Sequence, residues 1–141
     1  RVEVGRGDFL HLDFVSVGAN KSEKFMWTKV EHFSKIRRDG VVENRLKIER
    51  THALREGEID EILGARNLPE NVRSLLTDRV RWVLGEGENR TILRIFVPRE
   101  AKLTGFENRS GEVRSKISAD GKFRIFEVPS FVVPGEKWAG E

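Results

Sequence analysis

Polar and apolar residues alternate along much of this chain. From Phe9 to Val17, Leu10, Leu12 and Phe14 fall on one face and His11 and Asp13 on the other, a period of two that predicts a half-buried strand. Gly18-Ala19-Asn20-Lys21-Ser22 reads as a loop. Phe25 to Ile36 and Val41 to Thr51 are two long β-prone runs separated by Arg37-Arg38-Asp39-Gly40. Asp-Gly tolerates positive φ, so the pair predicts a tight hairpin turn. In the second run Val42, Leu46 and Ile48 share a dry face while Glu43, Arg45 and Lys47 share a wet one, as in antiparallel sheets.

The period then changes. Glu58-Ile59-Asp60-Glu61-Ile62-Leu63 before Gly64 predicts a short helix with a glycine end, and Pro69 suits a first helical turn. Val72, Leu75, Leu76, Val80, Val83 and Leu84 recur at helical spacing, which predicts an amphipathic helix whose stripe is buried on the rest of the domain. Residues 56–86 thus read as a helical insertion. Strand patterns return at Thr91–Val97, stopped by Pro98, and then at Lys102–Phe106, Val113–Ser118 and Phe123–Val128; Val132-Val133-Pro134-Gly135-Glu136 reads as a turn. The prediction is a mainly β fold: an antiparallel β-sandwich, Ig-like, with a helical insertion at about 56–86, forming a single domain over 1–141. Because the chain opens at Arg1 without an initiator Met, it reads as a segment of a longer protein.

Composition narrows the chemistry. The charged fraction of 35% against 38% hydrophobic residues suits a thin, highly solvated fold. The net charge is +3, but residues 51–141 carry 15 basic and 15 acidic residues, and no long single-sign block exists to release counterions from a phosphate backbone. Nucleic acid is therefore not an expected partner. With no cysteine there is no disulfide, thiolate metal site or Cys nucleophile.

Three stretches resemble a bacterial envelope family. Phe14-Val15-Ser16-Val17-Gly18-Ala19-Asn20-Lys21-Ser22 is followed by the charged hairpin around Asp39-Gly40. Asn89-Arg90-Thr91-Ile92-Leu93-Arg94-Ile95-Phe96-Val97-Pro98 is an Asn-Arg pair leading into an Arg-centred strand, and Val132-Val133-Pro134-Gly135-Glu136 is a Val-x-Pro-Gly-Glu turn. Together they resemble the C-terminal part of the family catalogued as domain of unknown function 4012. The chain departs from that pattern in lacking the long N-terminal region with its membrane anchor, in a shorter loop at 18–22, and in the insertion at 56–86. The resemblance implies an extracytoplasmic module of a membrane-tethered envelope protein, contacting the membrane only through an anchor outside this segment. It implies no activity and transfers no catalytic residue.

No residue set looks like an active site. His11 and Asp13 share a strand face, but no close ligand pair with His32 or His52 appears, so no metal or other cofactor is expected. No serine sits in Gly-x-Ser-x-Gly or Ser-x-x-Lys. Asn20-Lys21-Ser22, Asn89-Arg90-Thr91 and Asn108-Arg109-Ser110 match the glycosylation acceptor pattern, a coincidence in a bacterial chain. Arg94 and Arg124, within Arg-rich strands, together with Trp138 are the candidate surface for an anionic ligand or a partner, either another envelope protein or an anionic polymer. Trp27 reads as core and Trp82 as a clamp between insertion and sheet. The expected function is a non-catalytic envelope module, not an enzyme. The alternatives are an accessory domain of an envelope enzyme whose catalytic residues lie outside this segment, or a module that binds an anionic ligand.

Overall fold

The computed structural model describes residues 9–107 and 111–141; the Asn108-Arg109-Ser110 acceptor pattern lies outside them. The strands among the described residues are β1 (His11–Ser16), β2 (Met26–Ile36), β3 (Val42–His52), β4 (Asn89–Pro98), β5 (Arg114–Ile117), β6 (Phe123–Val132) and β7 (Lys137–Gly140). They form two antiparallel sheets, ordered β1-β4-β6-β5 and β2-β3-β7. The expected mainly β, antiparallel architecture is present.

Alternation builds the core. Leu93, Val128 and Val132 from the four-stranded sheet meet Ile48 and Trp138 from the three-stranded one, with Leu12, Phe14, Met26, Ile95, Phe106 and Val113 packed around them. The two dry faces cover each other. The β2–β3 hairpin forms as its sequence predicts: Ile36 is opposite Val42, the Arg37 amide donates to Val41 O at 2.8 Å, and Gly40 takes φ +81°. A β-branched residue would be strained there.

Three expectations are corrected, the turn at Pro134-Gly135 forms as its sequence predicts, and one further strand appears. Residues 102–106 form no strand; Phe106 instead caps the core while Glu107 exchanges backbone hydrogen bonds with Glu141. The tail supplies β7, whose short pairing with Ile48–Thr51 buries Trp138. Trp27 is not core: β2 is an edge strand, its phase puts Trp27 on the outer face, and the residue is 74% exposed. The insertion lies where it is expected but is not one long helix. It is built from α1 (Glu58–Leu63), a 3-10 turn (Ala65–Asn67), α2 (Glu70–Arg73) and α3 (Asp78–Arg81), which runs on into a π-helical turn (Trp82–Glu86); α2 and α3 are separated by a break at 74–77, where Thr77 caps α3. The break rotates the predicted stripe out of register, leaving Val72, Val80 and Val83 partly solvated and Leu75 67% exposed. Ile59 and Ala65 are the buried contacts of the insertion.

Substitution should separate these two sets. Ile59→Ala is expected to cost about 2–5 kcal/mol through transfer and cavity terms, and Leu75→Ala less than about 0.5 kcal/mol. Urea denaturation of the two variants checks this; equal losses would contradict the described packing.

Candidate functional site

The densest polar chemistry among the described residues lies between the two sheets, at the end where the 18–25 loop crosses them. Arg50 sits in the dry phase of β3 and is 0% exposed. Its Nη1 donates to Asn89 Oδ1 at 3.0 Å on β4 and to Ser130 Oγ at 3.4 Å on β6. Its Nη2 donates to Glu23 Oε1 at 2.8 Å, and the Phe14 ring of β1 lies 5.1 Å from Cζ. One guanidinium therefore joins both sheets and the loop. Burial pushes the Arg50 pKa down and Glu23 pushes it up; an arginine stays charged in either case.

The partners of Arg50 are bonded to one another. Asn89 Nδ2 donates to Glu23 Oε2 at 2.7 Å and to Ser22 Oγ at 3.2 Å, while Thr91 Oγ1 donates to Asn89 Oδ1 at 2.8 Å. Ser22 Oγ donates to Asn20 Oδ1 at 2.6 Å, and Asn20 Nδ2 donates to Glu88 O at 3.0 Å. The loop is short and turns sharply, so its side chains rather than a ladder satisfy its polar groups.

His52, also buried, extends the network. Its Nε2–H donates to Gly87 O at 3.3 Å, and its Nδ1 accepts from the Leu54 amide at 3.5 Å. A proton on Nδ1 would face that amide. Burial lowers the His52 pKa, with the Gly87 carbonyl opposing. The approach to Gly87 depends on Gly85, at φ +133°, where an added Cβ would lie 2.4 Å from the Phe25 ring.

The expected surface residues do not converge. Arg94 lies on the outer face of β4, 3.0 Å from Glu127, whose carboxyl Lys116 and then Arg94 hold below its usual range. Arg124 lies three residues from Glu127 on β6 and hence on the opposite face, donating to Arg99 O and Ser115 Oγ. Trp138 is 4% exposed inside the core. This corrects the Arg94–Arg124–Trp138 surface: strand phase separates the arginines, and β7 pairing buries the indole. His11 and Asp13 are on β1, whereas His32 is in the other sheet bonded to Asn44 and Ser34. No described group of His, Asp and Glu residues is arranged to hold a metal ion. Trp82, in the insertion, donates its indole N–H to Glu88 Oε2 at 3.4 Å, one residue before β4.

A cleft of about 270 Å³ lies in the insertion, lined by Glu56, Asp60, Glu61, Arg66, Arg73 and Arg81. Arg81 bridges Asp60 at 2.6 Å and Glu86 at 3.5 Å, and Arg81 holds the Asp60 carboxyl below its usual range. Its lining includes no hydroxyl nucleophile and no imidazole. Compared with protein-family models, curated proteins and solved structures, the chain matches none.

The histidine gives a pH test. A folded pKa below that of the unfolded chain means the unfolded state takes up the proton first. His52 therefore contributes stability above about pH 6.5 that is lost as pH falls toward its folded pKa. The wild-type denaturation midpoint is expected to drop between about pH 7.5 and about pH 5.5, and His52→Gln to shrink that drop. An identical drop in the variant would exclude His52 as its source.

Proposed function

We propose that this chain is a non-catalytic, extracytoplasmic β-sandwich module of Ig-like build, which presents or braces a membrane-tethered protein of the bacterial cell envelope. One observation carries the reading: two of the three stretches that resemble the envelope family meet in one buried polar network, and the third is hydrogen-bonded to the backbone of His52 beside it. Asn20 and Ser22 come from the first, Asn89 and Thr91 from the second, and Gly135 and Glu136 of the third exchange backbone hydrogen bonds with His52. A motif set that fastens one fold to itself supports a structural module.

Charge supports a protein partner over an anionic polymer. Arg45, Arg50, Arg81, Arg90 and Arg94 are each paired with an acid of their own chain. Paired arginines leave little field to concentrate a polyanion. Among the described residues no helix is long and apolar enough to cross a membrane; in this reading the tether belongs to sequence outside this segment.

Two measurements test the reading. The purified chain should elute from a dextran sulfate column below about 0.15 M salt; retention beyond about 0.5 M would favour the anionic-ligand reading. A protease site inserted at the exposed Arg38-Asp39 turn of the full-length protein should be cut by protease added to bacterial spheroplasts. Protection in intact spheroplasts, with cutting after lysis, would overturn the extracytoplasmic placement.

A further inference from the structure

The long hairpin carries a feature the polar network does not explain. β2 ends its sheet, and β7 pairs only with Ile48–Thr51 of β3, so most of the hairpin projects past the body. Two large aromatics lie on its outer face: Trp27 at 74% and Phe33 at 58% exposure. Between them on the same face are Lys29 and Glu31, 2.9 Å apart along the strand.

The free edge has a definite hydrogen-bonding phase. The Arg37 amide donates to Val41 O and the Ala53 amide to Phe25 O, both in the hairpin's own register. Odd-numbered residues of β2 thus direct their backbone groups to β3, and even-numbered residues from Met26 to Ile36 direct theirs outward. No described residue pairs with that outward edge.

We propose that β2 pairs antiparallel with β2 of a second copy of this chain, about a two-fold axis at Val30, joining two hairpins into one continuous sheet. Val30 lies opposite itself and Thr28 opposite His32, as hydrogen-bonded pairs of the required even phase. The odd positions then form the closer, non-hydrogen-bonded pairs. Lys29 faces Glu31 of the second copy, and Trp27 faces its Phe33, each contact occurring twice. Charge continues the match across the strands. Glu49 is opposite Lys29 and Lys47 opposite Glu31 within one hairpin. The row across the dimer therefore runs Glu49, Lys29, Glu31, Lys47, alternating in sign. A shift by one ladder step in either direction sets Glu31 against Glu31 or Lys29 against Lys29. Charge therefore selects one register among those the phase allows. An interface of one surface with itself closes as a dimer.

Sedimentation equilibrium over a micromolar-to-millimolar series tests this. The wild type is expected to show a reversible monomer–dimer equilibrium that weakens with salt. K29E alone and E31K alone each oppose like charges and are expected to dimerise at least about tenfold more weakly. Mixed in equal amounts they complement each other at both pairs, and association should return. Val30→Pro removes an outward amide at an edge position that tolerates proline, so it should leave circular dichroism and melting unchanged while abolishing dimerisation. The chain has no cysteine, so V30C reports register directly: it should crosslink under oxidation faster than T28C or H32C. A wild type that stays monomeric at millimolar concentration, or charge variants that do not associate when mixed, would overturn the proposal.

Discussion

The fold depends on a guanidinium held out of water between its two sheets. Removing such a charge from solvent is costly, and the cost is offset only where geometry and hydrogen bonds are good. Arg50 meets the condition with a fork: one nitrogen to Asn89 and Ser130 on the four-stranded sheet, the other to Glu23 on the loop, and the Phe14 ring beside it. Its Nε finds no partner among the described residues, so the site is held by the two terminal nitrogens. Lysine, a point charge without that planar fork, could not serve three elements at once. Losing the arginine would take one hydrogen bond each from Asn89, Ser130 and Glu23 and leave Glu23, which is partly open to solvent, without its cation.

Much else follows from that anchorage. Glu23 fixes the 18–25 loop, and the loop in turn holds the insertion, since the Lys21 amide donates to Val83 O at 2.9 Å. The insertion needs this support because its helices are too short to persist alone and bury few apolar side chains. At the other end the β2–β3 hairpin has no such restraint and projects with its edge open. The buried polar network lies between the sheets, while two exposed aromatics, Trp27 and Phe33, lie on the outer face of the hairpin.

The two sheets and the hairpin were legible in the sequence because alternation and Asp-Gly turn chemistry are local signals. The helical break at 74–77 was not, since Val72, Leu76 and Val80 keep helical spacing through residues that in fact turn. Strand β7 was missed because Lys137-Trp138-Ala139-Gly140 is too short to show a period; it is a strand only because β3 offers an edge. Trp27 shows the same limit in reverse: an aromatic in a strand is core only if its phase faces the second sheet. The network was half visible. The asparagine loops stand out as motifs, whereas Arg50 and His52 continue the dry phase of Val42, Leu46 and Ile48 on β3. A charged residue in a dry phase was the signal that could have identified the site. What that arginine bonds to is set by tertiary pairing between β3, β4 and β6, which no local pattern encodes.

The central claim is that Arg50 and Asn89 act as one unit across the sheets, and a double-mutant cycle measures it. Arg50→Met and Asn89→Leu keep approximate volume while removing each polar group, and each alone takes from the other buried residue the bond that joins them. Urea denaturation of the wild type, both single variants and the double variant gives the coupling. The double variant should be at least about 1 kcal/mol more stable than the summed losses allow. Losses that add to within about 0.5 kcal/mol would show that the two residues act independently and that the buried bridge does not hold the sheets together.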